Sequence, residues 1–217
     1  MTEYEAEPIR GLPGLLPKGE HIVWQGAPQW QALSRRAFHT RKIAAYFGAL
    51  LVVSVASRVA DGQGALEIVR SASWQFALGA TTVGILSLLA WLYARTTVYT
   101  VTNRRIVMRF GVALPMMVNI PWDKVESAAF RSFADGNGDI VLKPTAKGKV
   151  SYWTIWPHAR PWRFTPVQPS LRGIADAAHV AGLISEAVAG QPQPAAAAPS
   201  RQTRVQAAWP ASVTASA

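Results

Sequence analysis

Residues Trp74–Tyr93, WQFALGATTVGILSLLAWLY, form a run of twenty residues without a charge. At a rise of about 1.5 Å per residue, a helix of this length spans roughly 30 Å, the hydrocarbon thickness of a bilayer. An aromatic residue stands at each end, where membrane interfaces favour such side chains. A buried core helix is the alternative, although soluble core helices of this length carry charges on their outer face. The run therefore predicts a membrane span.

A weaker apolar stretch, Ile43–Ala60, precedes it and contains Arg58 near its far end. An arginine there can extend to the headgroups, so this stretch can also cross the bilayer. The segment between the two stretches, 61–73, is close to neutral, whereas basic residues flank the outer ends of the pair, as cytoplasmic flanks do: Arg35, Arg36, Arg41, Lys42, Arg95, Arg104, Arg105 and Arg109. These patterns predict a transmembrane hairpin with both termini in the cytoplasm. The alternative is that Ile43–Ala60 lies along the interface.

The composition agrees with a membrane protein. Half of the residues are apolar and 16% are charged, below the roughly 25% of soluble domains. The first residues are acidic rather than basic, so we expect the first span to act as its own insertion signal. Cysteine is absent, which excludes disulfides and thiolate metal sites. The net charge of +10 is compatible with nucleic acid or an anionic membrane surface, and the position of the arginines beside the spans favours the membrane.

After the spans, short β-branched runs alternate with turns about every ten residues, which is typical of a small antiparallel barrel or sandwich. A short strand is also predicted near Ile22, followed by a basic helix or a solvated flank over 29–42. The run from Leu171 to Ala189, with Ser170 as its cap and Gly190 as its stop, predicts a terminal helix that closes the barrel. The predicted strands are 97–101, 105–110, 117–120, 125–133, 140–142 and 150–156.

The predicted organisation has four parts and belongs to the α+β class. Residues 191–217 are rich in Ala, Pro, Ser and Gln and predict a disordered tail, either a tether or a solvated end. The other parts are an N-terminal cytoplasmic segment, 1–42, a transmembrane hairpin, 43–95 with spans about 43–60 and 74–93, and a β domain with its terminal helix, 96–190.

Several motifs carry a resemblance to a known family. Tyr99–Ile106 (YTVTNRRI), Ile120–Glu126 (IPWDKVE) and Gly136–Ile140 (GNGDI) after two spans resemble the bacterial pleckstrin-homology (PH) domain that follows a membrane hairpin. Leu12–Pro13, Trp24–Pro28 (WQGAP) and the run from Arg36 to Lys42 resemble the PuhB-like photosynthetic-complex assembly proteins of purple bacteria. The resemblance covers roughly 10–188.

The resemblance implies an assembly factor of the bacterial inner membrane, cytoplasmic or intracytoplasmic, for the photosynthetic reaction centre and its core light-harvesting complex. It implies reaction-centre subunits as partners, with the H subunit as the first candidate, together with membrane lipids and a homodimer. The alternative is a membrane-anchored PH-like lipid- or protein-binding module unrelated to photosynthesis. A membrane enzyme of pigment or lipid synthesis is a remote third option.

The residues themselves predict binding rather than catalysis. The sequence contains no HExxH, Walker-type loop or GxSxG motif, so we expect no catalytic, cofactor or metal site. We also expect no nucleic-acid partner, because headgroups are the nearer counter-charge for arginines beside a span. Arg104 and Arg105 are also interpreted as turn-stabilising residues. The candidate contacts with the membrane surface or a client are Arg35, Arg36, Arg41, Lys42, Arg95, Arg104, Arg105 and Trp122.

Overall fold

The structure is a computed structural model that describes residues 9–145 and 151–189. Within these residues the chain forms helices and two antiparallel sheets, which confirms the predicted α+β class. The predicted tail, 191–217, lies outside the described residues. The helices are α1 Trp30–Arg36, α2 Thr40–Ala60, α3 Ala65–Thr96, α4 Tyr152–Ile155 and α5 Ala177–Ala189. The strands are β1 Ile22–Gly26, β2 Val98–Thr102, β3 Arg105–Phe110, β4 Met116–Pro121, β5 Val125–Ser132, β6 Asn137–Pro144, β7 Ala159–Phe164 and β8 Val167–Ala175.

Helices α2 and α3 form an antiparallel pair that is long and apolar enough to cross a membrane. The pair is close-packed, since a Cβ atom placed on Gly79 of α3 would lie 3.0 Å from Cβ of Phe47 on α2. Helix α3 begins at Ala65, inside the predicted connecting segment 61–73. The first turns of α3 carry Glu67 and Arg70, two charged residues that a helix tolerates where their side chains reach water.

The short helix α1 joins this helical pair to the sheets. Leu33 and Phe38 pack on Ala90 and Ala94 near the end of α3, where small side chains allow a close approach. On its other side, α1 meets β8, because the backbone N–H of Gln29 donates to the carbonyl of Gly173 at 2.8 Å. The predicted basic helix over 29–42 is therefore two helices with a bend between them, and it buries Leu33 and Phe38 instead of forming a solvated flank.

The first sheet has the strand order β1-β2-β3-β4. Strand β2 begins directly after α3, and Val98 at its start pairs with Arg109 near the end of β3. The β3–β4 turn therefore lies near the end of α3, whereas the β2–β3 turn lies at the opposite end of the sheet. Strand β1 pairs with β2, so the predicted N-terminal segment contributes an edge strand to this sheet. The predicted boundary between that segment and the β domain remains a prediction.

The second sheet has the order β5-β6-β8-β7, and the two sheets pack face to face around one apolar core. Tyr99 and Met108 from the first sheet meet Ile140 and Leu171 from the second. Helix α5 packs against β5, β6 and β1 and contributes Val180 and Ile184 to the same core. The structure is therefore a sandwich closed on one side by the terminal helix.

The terminal helix begins later than predicted. Residues Leu171–Ala175 continue strand β8, in which Leu171 pairs with Ile140 and Ile174 pairs with Gly138. Ile174 therefore enters the core from a strand and not from the predicted helix. Ser170 is a buried strand residue rather than a cap, and the predicted stop, Gly190, lies outside the described residues.

The predicted strand 150–156 was wrong over its described part. Residues Tyr152–Ile155 form one helical turn, α4, which places Ile155 in the core. Short apolar runs do not distinguish strand from helix by periodicity, and here packing decided the outcome. The proline-rich passage after it, 157–169, contains β7 and the start of β8.

Replacing Leu33 by alanine tests the joint between α1 and α3. Leu33 is 1% exposed, so its truncation should lower the free energy of unfolding by about 2–5 kcal/mol. The matched control is Leu15→Ala at a side chain that is 79% exposed, where we expect a change of about 0.5 kcal/mol or less. Unfolding of the full chain in detergent micelles measures both, and equal losses would contradict the role of the joint.

Candidate functional site

A basic cleft of about 670 Å³ lies between the α1–α2 bend and the outer face of the second sheet. Six of the residues that line it are Lys or Arg, whereas one is acidic. Its lining comprises Arg35, Arg36, His39, Lys42, Ala129, Phe130, Arg131, Phe133, Asp139, Val141, Arg160, Pro161, Ser170 and Arg172. The cleft is therefore suited to an anionic ligand or an acidic segment of a partner.

Arg36 fixes one wall of the cleft. Its Nη2 atom donates to both carboxylate oxygens of Asp135, at 2.6 and 2.7 Å, and its guanidinium lies 3.5 Å from the ring centroid of Phe133. Burial alone would raise the pKa of Asp135, but the hydrogen bond and positive charge of Arg36 outweigh it and lower that pKa. Because Asp135 belongs to the β5–β6 turn, this contact attaches the end of α1 to the second sheet.

Asp139 and Arg172 form the floor of the cleft. The Nε atom of Arg172 lies 3.7 Å from a carboxylate oxygen of Asp139, and Nη1 donates to the carbonyl of Pro157 at 3.2 Å. The other carboxylate oxygen of Asp139 accepts the backbone N–H of Gly173 at 2.8 Å. Gly173 has a φ of 61° and approaches Ala32 of α1, so a side chain at this position would be strained and would collide with α1.

A buried polar chain continues from this floor into the sandwich. The backbone N–H of Arg172 donates to the Tyr99 hydroxyl at 3.3 Å, which lies 2.7 Å from Nδ1 of His158, and Nε2 of His158 lies 3.1 Å from the Thr97 hydroxyl. Burial, together with the charge of Arg172, lowers the pKa of His158 to about 3. Burial also raises the pKa of Tyr99. His158 is therefore neutral, with one nitrogen accepting and the other donating.

The sequence did not single out this buried chain. His158 follows a tryptophan and a proline in a passage without periodicity, and the partners Tyr99 and Arg172 are distant along the chain. A histidine in an otherwise apolar and aromatic passage was the available signal, and it does not distinguish a core residue from a ligand.

The structure brings three of the predicted contact residues together and separates the others. Arg35, Arg36 and Lys42 line the cleft. Arg41 is exposed on the first turn of α2, and Arg95 is exposed near the end of α3, where its guanidinium lies 5.4 Å from the ring of Trp91. The cleft also contains Arg131, Arg160 and Arg172. The sequence placed Arg131 on a strand and Arg172 in the terminal helix, and it did not relate the three residues to one another.

Arg104 and Arg105 belong to the turn farthest from the end of α3. Arg105 forms a bidentate ion pair with Glu20, at 2.7 and 3.0 Å, and Thr102 donates to the same carboxylate at 2.8 Å. Burial alone would raise the pKa of Glu20, but these hydrogen bonds and the charges of Arg105 and Arg104 lower it. Arg105 thus ties the N-terminal segment to the turn, as the turn-stabilising interpretation expects.

Trp122 is not a surface residue, and its predicted role as a membrane or client contact was wrong. It is 2% exposed, and its Nε1–H donates to the carbonyl of Thr102 at 3.0 Å. The indole packs in the apolar core between β4 and β5. A tryptophan after a proline in a turn was taken for a surface anchor, but here the short turn Trp122–Lys124 directs the ring inward.

An exposed aromatic surface lies beside the cleft, on α4 and β7. Trp153 and Trp162 are 76% and 85% exposed, and Phe164 is half exposed. The ring centroids of Trp153 and Phe164 are 6.4 Å apart. Trp162 has a φ of 61°, a conformation that bulky residues rarely adopt. Trp156 is not part of this surface, because it packs on Phe38 at a centroid distance of 5.2 Å.

Comparison with known proteins identifies the family. Residues 45–188, which include most of α2, all of α3 and strands β2 to β8, match the family described as "Bacterial PH domain". The chain belongs to the bacterial PH domain family. An uncharacterized 23.7 kDa protein in the puhA 5′ region of Rhodobacter capsulatus is 38% identical to the chain over 190 residues, which cover 85% of this chain and 87% of that relative. No solved structure matches significantly.

These matches confirm the resemblance predicted from the sequence. The family match begins at residue 45, inside α2. Helix α1 and the start of α2, which supply Arg35, Arg36 and Lys42 to the cleft, therefore lie before the matched part of this bacterial PH domain. The basic cleft thus combines the family's sheet with residues from the N-terminal segment of the chain.

The neutral buried histidine predicts a specific loss of stability in mild acid. As the pH falls below 6.5, the unfolded chain gains a proton on His158 that the folded chain does not accept until the pH approaches 3. The free energy of unfolding should therefore fall by up to about 1.4 kcal/mol per pH unit. Unfolding of the full chain in detergent between about pH 7 and pH 5 measures this slope.

The matched variant is His158→Gln, which cannot titrate. It should be less stable than the unaltered chain near neutral pH, because it disturbs the hydrogen bonds to Tyr99 and Thr97, but its stability should be nearly flat over the same range. An equal slope in both proteins would show that other groups cause the acid sensitivity.

Proposed function

We propose that this chain is a non-enzymatic membrane assembly factor for the photosynthetic reaction centre and its core light-harvesting complex. The observation that carries this proposal is the identity to the Rhodobacter capsulatus protein in the puhA 5′ region, which extends over most of both chains. A binding role is supported by His158, whose pKa is lowered by burial and which is fully buried and inaccessible to a substrate.

We infer that α2 and α3 cross the bacterial inner membrane as a hairpin, with both termini in the cytoplasm. Phe47 and Gly79 lie at equal depth, so Thr40, seven residues before Phe47, is level with Leu86, seven residues after Gly79. A slab of about 30 Å that contains α2 therefore ends near Leu86 on α3. The second span lies nearer the start of α3 than the predicted 74–93, and Lys42 reaches the headgroup level.

The last turns of α3 then stand on the cytoplasmic side. They are covered by α1 through Ala90 and Ala94, and they hold the sandwich beside the membrane surface. The basic residues of the α1–α2 bend fall on the same side, in agreement with the positive-inside rule. This placement presents the cleft and the aromatic surface to other proteins of the cytoplasmic membrane face.

The aromatic surface of Trp153, Trp162 and Phe164 is the candidate contact for client subunits, with the H subunit of the reaction centre as the first candidate. Tryptophan and arginine dominate the energetics of protein interfaces, and Arg160 and Arg163 alternate with the aromatics on β7. Because β7 is an edge strand, a client can approach it without displacing another strand.

A second candidate function is a membrane-anchored PH-like module that is unrelated to photosynthesis. The observation that favours it is the basic cleft itself, whose charge does not depend on any photosynthetic partner. The two functions differ in whether reaction-centre assembly depends on the gene.

Deletion of the gene in its source bacterium should slow the accumulation of reaction centres and lower their final amount. The near-infrared absorbance of membranes during induction measures both quantities. Complementation with the unaltered gene should restore them, whereas Trp153→Ala/Trp162→Ala should restore them less, because the client contact is truncated. The control Arg104→Gln/Lys124→Gln alters the far end of the sandwich and should restore them fully. Normal levels and kinetics in the deletion strain would refute an assembly role.

A further inference from the structure

The cleft opens at the first turn of α2, where the chain enters its long apolar helix. Lys42 lines the cleft from α2, and Arg131 lines it from β5. Among the described residues, neither side chain forms a hydrogen bond or an ion pair; the one described contact of the Arg131 guanidinium is with the ring of Phe133, at 5.1 Å. Two cations thus face the same space without an ion pair among the described residues, while the carboxylate of Asp139, opposite Arg131 on β6, lies beside Arg172.

Arg36 adds a third unsatisfied group in the same wall. Its side chain is 18% exposed, and although Nη2 binds Asp135, the buried Nη1 atom has no hydrogen-bond partner among the described residues. A buried polar atom without a partner is costly, whereas a hydrogen bond between a guanidinium and an anion is among the strongest in proteins. Because Arg36 lines the cleft, an anion there would stabilise this incompletely paired guanidinium by its charge.

Apolar side chains form another part of the lining, and they narrow the class of anion. Phe130 and Val141 line the cleft from the second sheet, and Pro161 lines it from β7. A small inorganic anion would leave these side chains facing water, whereas an amphiphile would cover them while its charged group met the cations.

The depth of Lys42 in the membrane also favours an amphiphile. Helix α2 comprises 21 residues, about 30 Å at 1.5 Å per residue, so a bilayer that contains it places Lys42 among the headgroups. At that level anionic headgroups are the most concentrated phosphate groups available to a basic site.

We propose that the cleft binds the phosphate of an anionic membrane phospholipid, with Lys42 and Arg131 as its ligands and the positive charge of Arg36 beside them. The lipid fills the space between the α1–α2 bend and the second sheet and links the sandwich to the bilayer beside the helices. This inference depends on the proposed function only for the membrane placement of α2, not for any role in photosynthesis.

The test is a calorimetric titration of the full-length chain in neutral detergent. The probes are dioctanoyl phosphatidylglycerol, dioctanoyl phosphatidylcholine and inorganic phosphate. We expect saturable binding of phosphatidylglycerol and much weaker binding of the other two. Lys42→Gln/Arg131→Gln should weaken phosphatidylglycerol binding by about 20-fold, since each cation near a membrane surface contributes about 1 kcal/mol.

The matched control, Arg104→Gln/Lys124→Gln, removes the same number of exposed cations at the far end of the sandwich and should bind like the unaltered chain. Equal thermal midpoints for both double variants would show that folding is intact. If Lys42→Gln/Arg131→Gln destabilises the chain, the single variant Lys42→Gln takes its place. For this single variant we expect about fivefold weaker binding.

Three results would overturn the proposal. Equal binding of the two lipids would remove the charge selectivity, and equal binding of inorganic phosphate would replace the lipid by a free anion. Unchanged phosphatidylglycerol binding in Lys42→Gln/Arg131→Gln, together with loss of a co-purifying reaction-centre subunit, would show that the cleft binds a protein and not a lipid. None of these titrations involves reaction-centre assembly, so the lipid site and the proposed function can fail independently.

Discussion

The packing of α1 between α3 and the second sheet holds the parts of this protein in one arrangement. Leu33 and Phe38 cover Ala90 and Ala94 on one side, while the backbone of Gln29 bonds to Gly173 on the other. A third attachment, from Arg36 to Asp135, fixes the β5–β6 turn. Without α1, the two long helices would connect to the sandwich through the short link from Thr96 to Val98 and through the contacts of Tyr93 with Trp156 and His158. The helix is short, but three separate elements depend on its contacts.

This arrangement also explains why charge collects at one place. The bend between α1 and α2 directs Lys42 toward the strands that carry Arg131 and Arg172, so residues that are distant along the chain line one cleft. Some of the charge is neutralised internally, because Asp139 lies beside Arg172 and Asp135 binds Arg36. The remaining cations face the opening. A chain anchored by α2 and α3 would present that opening to the membrane surface, whereas Arg104 and Arg105 would point away from it.

The sequence predicted the parts that depend on local pattern and missed those that depend on tertiary contact. Trp74–Tyr93 and the alternating strand 105–110 identified the long helix and the sheet because uncharged length and period-two alternation are properties of the chain itself. The end of β8, from Leu171 to Ala175, was predicted as helix, because Ile174 fits the period of a helix as well as that of a strand. The pairing of Ile174 with Gly138 on β6 decides for the strand. The burial of Trp122 and the hydrogen bonds of His158 depend on partners that no local pattern reveals.

The central claim is that the helical hairpin holds the sandwich on the cytoplasmic side of the membrane, and cysteine labelling tests it most directly. The chain contains no cysteine, so single substitutions report without background. Asp61→Cys lies between the two long helices and Arg104→Cys lies at the far end of the sandwich. In intact spheroplasts, a membrane-impermeant maleimide should label Asp61→Cys at once and Arg104→Cys only after lysis. Labelling of Arg104→Cys before lysis, or of both positions alike, would contradict the claim.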